Sequence, residues 1–222
     1  MGGPRWEKVP GGLKRISCAS AGLVWGVNRE DNIFRMEGDK WVQVPGGLEQ
    51  VEVGVDGEVW GVNKSGNIFR WNGSGWVTVP GGLCGISVAN AEHIAGCATN
   101  GSVYIRKDDA WVMISNGPDG PVKIQAVAIN TEGLLHGVTF ENTPMYFYGD
   151  KWNELPGKVE SLDFGTCLVG TNETGKCFMF DTGVRNWKPL EVPEPVKFIG
   201  AGADGTVYAV QPDGDIYRTR FY

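Results

Sequence analysis

A tryptophan, an asparagine and an arginine recur as a set. Trp25, Asn28 and Arg35 stand in WGVNREDNIFR, and Trp60, Asn63 and Arg70 stand in WGVNKSGNIFR, 35 positions later. None of the three types is a ready nucleophile or general base. An indole offers a flat apolar surface with one polar edge. The amide and the guanidinium offer planar arrays of donors, and the amide adds an acceptor. A saccharide needs this combination, because its C–H face wants an apolar surface and its hydroxyls want fixed partners. Each residue type also has a structural use. The indoles can be core, the arginines can pair with a nearby carboxylate such as Glu30, Asp31 or Glu37, and an asparagine at a strand end can cap its own turn.

Catalytic chemistry has little material here. The two histidines, His93 and His136, fall at non-equivalent points of the repeat described below, so they build no repeated metal or triad geometry. The sequence contains no Cys-x-x-Cys, nucleophile elbow or phosphate loop. Val-Pro-Gly-Gly-Leu is glycine-rich but leads into a strand, without the helix N-terminus that cradles phosphate. The scattered carboxylates leave a two-carboxylate glycosidase as the catalytic alternative. The expectation is a binding protein, not an enzyme, with no cofactor and no metal.

The elements that must position the recurring set follow from the composition and the period. The 222 residues suit a single domain spanning 1–222, and 34 glycines with 9 tryptophans suit short strands joined by tight turns. A net charge of −6 without a Lys/Arg cluster argues against nucleic acid and anionic membranes. No apolar run is long enough to span a bilayer, so no membrane insertion is expected. The start MGGPRWEKVP lacks the apolar core of a signal peptide, and position 6, where myristoylation favours Ser or Thr, is Trp6. Five scattered cysteines then suggest reduced thiols and a cytoplasmic location. On that view the glycosylation sequons at Asn63, Asn72, Asn100 and Asn172 are turn chemistry.

Trp6, Trp41, Trp76, Trp111, Trp152 and Trp187 mark six units, 35 residues apart with one interval of 41. The longer interval takes up NGPDGP and ENTPM, both loop-like. Each unit reads as four short strands, for example LKRISCA, VWGVN, NIFRM and WVQVP. Four-stranded units with aromatic punctuation predict a β-propeller, here an all-β, six-bladed ring. The chain starts on a Trp strand and ends just after one that elsewhere precedes it. Pairing the N- and C-terminal strands would close the ring and remove two open sheet edges. A four-residue second turn, NREDN or NKSGN, would put Trp25, Val27, Phe34 and Met36 on one face of the sheet, and Gly26, Asn28, Ile33 and Arg35 on the other. The second set would leave a gap at the glycine beside an amide and a guanidinium. The recognition face is expected on the rim that carries NREDN and VPGGL, near the seams between blades.

The repeat W-x-x-V-P-G-G-L, V-W-G-V-N, N-I-F-R resembles that of the tectonins of slime moulds and fungi and of the related tachylectin and fish-egg lectins. The likeness is sharp in the first two units and thin in the last three, where WGVN becomes HGVT, VGTN and YAVQ. It implies a six-bladed propeller that binds glycans, in fungal members O-methylated sugars of bacteria and nematodes, in defence. The alternative is an intracellular propeller that docks protein or lipid. The terminal Phe221 and Tyr222 offer apolar surface for self-association, so a homo-oligomer is also expected.

Overall fold

A computed structural model describes residues 5–114 and 120–221. Most of the NGPDGP insertion, and Tyr222, lie outside them. The strands form six four-stranded antiparallel sheets. Five blades are built from consecutive strands, at 15–47, 50–79, 85–113, 124–154 and 161–190. The sixth joins the chain ends. Glu7–Val9 pairs antiparallel with Ile216–Arg220, Glu7 facing Arg218 and Val9 facing Ile216. The expected closure is present, and the last sheet has no open N-terminal partner to seek.

Burial follows from where each strand sits. The first strand of each unit lines the central channel and is apolar on the faces between blades, as in Val51, Val53, Ile86 and Val88. The outermost strand alternates with solvent, leaving Val42, Val77 and Val112 exposed. The hydrophobic core is therefore not a single ball. It consists of six clusters, one at each seam. In the first seam Trp25, Val27, Ile33, Val44 and Leu48 of one blade meet Val51, Val53, Val59, Trp71 and Trp76 of the next. Phe221 packs on the core of the seam between the fifth and sixth blades.

Three of the six period-marking tryptophans fasten the outer seams by hydrogen bonds. The indole N–H of Trp41 donates to the Pro10 carbonyl at 3.0 Å, Trp76 to Pro45 at 2.9 Å and Trp187 to Pro156 at 2.7 Å, each across 31 residues. The ring lies on the glycine that follows the proline. A β-carbon on Gly46 would stand 3.0 Å from the Trp76 ring, and Gly46 has φ +119°, which a side chain would resist on its own account. The Asp-Gly turns add a second fastening. Asp56 accepts the Ala91 amide of the next blade at 2.8 Å, and Asp204 accepts that of Ala21 at 3.1 Å.

One register differs from expectation. Trp25 faces Arg35, Gly26 faces Phe34 and Val27 faces Ile33, and the second blade repeats this with Trp60 opposite Arg70. The second turn closes one residue tighter than a four-residue loop. The amide of Asn28 donates to the carbonyl of Asn32 at 3.0 Å, with Asp31 at φ +65°. In the second blade Gly66, at φ +81°, fills that left-handed position. The shift moves each arginine to the tryptophan's side of the sheet. Nor does the glycine leave a gap. A β-carbon on Gly26 would lie 2.5 Å from Leu13, one on Gly61 2.4 Å from Leu48, and one on Gly96 2.4 Å from Leu83. The leucine of Val-Pro-Gly-Gly-Leu occupies the niche.

Candidate functional site

Strand order puts the first and third turns of every blade on one face of the ring, here the upper, and the second turns with the Val-Pro-Gly-Gly-Leu segments on the lower. The widest seam opening, about 760 Å³, lies on the upper face between the first and second blades. Trp25, Arg35 and Met36 line it from one side, and Glu58, Arg70 and Trp71 from the other. The lower rim, where recognition was expected, is closed by ion pairs at the same seam. Lys14 reaches Asp31 at 2.5 Å and Glu49 at 2.6 Å, and Lys64 reaches Asp31 at 2.9 Å. Hydrogen bonding from Lys14 and then Lys64 holds the Asp31 carboxyl below its ordinary range.

The expected site residues divide accordingly. Arg35 and Trp25 come together in the upper cleft, while Arg70 stands on its far lip, its guanidinium turned with Trp60 toward the next seam, 5.9 Å from that ring. Asn28 and Asn63 do not reach the cleft, because they sit at the lower turns and their side-chain oxygens are used there. Asn28 Oδ1 accepts the amides of Glu30 at 3.1 Å and Asn32 at 2.9 Å, and Asn63 Oδ1 accepts those of Ser65 at 3.1 Å and Asn67 at 2.9 Å. These are Asx turns. Asn72, Asn100 and Asn172, the other sequon asparagines, cap turns in the same manner. Trp25 and Trp60 are 5% and 3% exposed, so they are core residues that show at most an edge. Trp60 lines a separate, smaller opening of about 370 Å³ between the second and third blades. There the Arg106 guanidinium lies 5.6 Å from the Trp60 ring and 5.3 Å from that of Trp111, where the first cleft has Trp71.

The cleft is polar at its mouth and apolar in its wall. Arg35 meets Glu37 through Nε at 2.8 Å and Nη2 at 2.6 Å. Arg70 meets both oxygens of Glu58, at 2.5 and 3.1 Å, and Glu58 also accepts the Trp60 indole N–H at 2.7 Å. The hydrogen bonds it donates to Glu58 raise the Arg70 pKa above its ordinary value. A guanidinium has five donors, so each arginine keeps N–H groups for a ligand after gripping its carboxylate. Behind them Trp71 packs edge-on to Trp25, 5.9 Å between centroids, and to Trp76, 5.2 Å. Val59 completes the apolar wall, while the Met36 side chain packs into the seam with the sixth blade. The opening can hold a small neutral polyol against an aromatic wall, with charge-assisted hydrogen bonds at its rim.

Sequence reasoning missed Glu58 and Trp71, and it missed a third pair of the same kind. Tyr208 faces Arg218 across the strands of the sixth blade, as Trp25 faces Arg35. Arg218 pairs with Glu7 at 3.1 Å and with Asp39 of the first blade at 3.4 Å. Setting YAVQ over WGVN and IYRT over IFRM shows this correspondence in the sequence itself. Trp71 needed the register: only when Arg70 turns toward Trp60 does the next residue face the neighbouring blade.

Residues 19–120 match a family model described as Tectonin domain. No curated protein sequence matches the chain. Solved structures similar in fold include the virginiamycin B lyase of Staphylococcus aureus, 11% identical with a TM-score of 0.66 over 98% of this chain and 99% of that one. The WD40 β-propeller domain of Doa1 is 10% identical, with a TM-score of 0.67 over 97% and 96%. A Bacteroides thetaiotaomicron protein of unknown function is 10% identical, with a TM-score of 0.72 over 98% of this chain and 72% of its own. At such identities the likeness is one of fold alone, and it bears out the propeller.

Proposed function

Residues 19–120 belong to the tectonin family, and from that premise we propose that the protein is a lectin whose principal site is the upper cleft between the first two blades. A tectonin domain in a β-propeller is consistent with lectin-type function. The observation that carries the assignment to this cleft is Arg35, already oriented by Glu37, beside the wall made by Trp25 and Trp71, with the Arg70–Glu58 pair on the far lip between this cleft and the next. The arginines and Glu58 would hold ring hydroxyls. Trp71 and Val59 would take the C–H face and give an O-methyl group a dry surface. Terminal O-methylated sugars on bacterial or nematode glycans, met in defence, are the ligands we infer.

Affinity at one shallow cleft is expected to be weak. Display on a dense glycan surface, through the related pairs at Trp60–Arg70 and Tyr208–Arg218 or through a homo-oligomer, would raise it by about 10²–10⁴ without any new contact. We read the protein as non-catalytic and cytoplasmic. The five cysteines, all free, support a reducing compartment. The test is a glycan array followed by titration of any hit into the native protein and into Arg70→Ala. Binding of a methylated saccharide that weakens at least tenfold in the variant supports the reading. No binding of any saccharide at millimolar concentration ends it.

A second reading, docking of a protein, draws on Val42, Val77 and Val112, exposed at matching positions of three successive outer strands. A pulldown from cell extract that survives excess free sugar would favour it.

A further inference from the structure

The central channel is a cup rather than a tube. Its lower compartment has a volume of about 310 Å³, and its upper compartment only about 30 Å³. Glu52, Ser87 and Asp163 line both, so they form the floor between them. At the lower mouth Lys197 and Glu160 pair with each other at 3.0 Å. A volume of this size is in the range of small-molecule sites.

One charge in the cup has no partner. The Arg15 guanidinium lies 4.4 Å from the centre of the Phe198 ring, on the innermost strand of the neighbouring sixth blade. Among the described residues it makes no hydrogen bond and no ion pair. Burial draws its pKa down, and Glu52 on the innermost strand of the neighbouring second blade is the largest influence opposing that. The guanidinium is half-buried at the wall of the cup, and its stacking on an aromatic ring fixes its orientation. Its free edge presents the parallel donors that fit a carboxylate with two hydrogen bonds.

The acidic groups on the other side are less hostile to an anion than they look. Asp163 accepts the backbone amides of Phe164 at 2.8 Å and Ala201 at 2.7 Å, so its charge is met by the sheet. Glu52 accepts from Gln50 at 2.7 Å, and burial pushes its carboxyl up to about 8, which keeps a proton on it near neutrality. A protonated carboxyl donates a hydrogen bond where an ionised one would repel.

We propose that the channel cup is a binding site for a small carboxylate. Arg15 holds the anion by two parallel hydrogen bonds while stacked on Phe198, and Glu52 and Ser87 on the floor receive its polar substituents. This site is on the ring axis and lower face, separate from the seam cleft, and its occupant is independent of any glycan.

The test is an NMR titration of the full chain with acetate and with lactate, against sodium chloride and methylammonium chloride at matched ionic strength, following the Arg15 Nε–H resonance. Saturable shifts with the carboxylates alone are expected, with binding at least tenfold weaker in Arg15→Gln, partly restored in Arg15→Lys, and unchanged in the seam variant Arg70→Ala. Shifts equal to those in chloride, a response to methylammonium instead, or an unaltered response in a folded Arg15→Gln would each overturn the proposal.

Discussion

Glu58 grips Arg70 with both carboxylate oxygens, Oε1 to Nε at 2.5 Å and Oε2 to Nη2 at 3.1 Å, on the upper rim of the second blade, where the pair borders the openings on both sides. Glu58 is the more buried partner, its side chain 13% exposed against 50% for Arg70. The carboxylate therefore positions and the guanidinium presents. Glu58→Gln is expected to leave the melting temperature within a few degrees, since exposed pairs contribute about 0–1 kcal/mol. The same change should weaken saccharide binding severalfold by releasing Arg70 from its fixed pose. Calorimetric titration beside a thermal melt checks both, and a large stability loss with unchanged binding would make the pair purely structural.

Asn63 is expected to behave in the opposite way. Its side-chain oxygen closes the lower turn through the Ser65 and Asn67 amides and faces no cleft. Asn63→Ala should cost about 1 kcal/mol of stability, the typical net worth of such hydrogen bonds, and leave saccharide affinity unchanged. A chemical denaturation curve and the same titration decide it.

The ring was legible because a period of 35 with a tryptophan at a fixed phase survives even in the weak copies. The closure was legible because Ile216-Tyr217-Arg218 matches a strand that elsewhere precedes a tryptophan strand. The site was half legible. Arg35 and Arg70 reach the cleft, but they were placed on the wrong side of the sheet, because side-chain period 2 turns a one-residue error in turn length into a change of face. The left-handed Asp31 that tightens this turn has no strong mark in NREDN, whereas Gly66 in NKSGN does. The niche at Gly26 could not be seen as filled, because Leu13 enters it from outside the local sheet pairing. Glu58 lies two residues before Trp60 in a turn and twelve from Arg70, so only the folded blade joins the three.

The tryptophan–glycine fastening predicts a paired effect at one seam. Gly46→Ala would push a methyl into the Trp76 ring at 3.0 Å while holding φ at +119°. It should cost roughly 1–3 kcal/mol, as overpacking does. Trp76→Ala should cost about 3–5 kcal/mol, as other large-to-small changes at packed sites do. Because both act on one contact, the double variant should lose less than the sum of the singles. Additive losses in denaturant titrations would show that the two do not act on each other.

Stability should fall as pH rises from 4 to 9, because two buried carboxyls outweigh one buried histidine of opposite effect. Burial raises Glu52 from 4.5 to about 8 and Asp163 from 3.8 to about 6. The folded ring therefore holds protons that the unfolded chain would release. That contribution is fully present below about pH 4 and is lost as pH rises through 6 and then 8. His136 is the reverse. Burial beside Phe164, 5.2 Å between ring centres, lowers it from 6.5 to about 4, so its contribution is present above 6.5 and is lost as pH falls toward 4. Melting temperatures should fall from pH 4 to pH 9, less steeply between 4 and 6.5, where His136 opposes the carboxyls. Glu52→Gln keeps the shape of the side chain and cannot ionise, so it should flatten the fall between pH 6 and 9. His136→Phe, at the position of Trp25 and Trp60, should steepen the fall between pH 4 and 6.5. If Glu52→Gln falls as steeply as the native protein between pH 6 and 9, the carboxyl is not the protonated group on the channel floor.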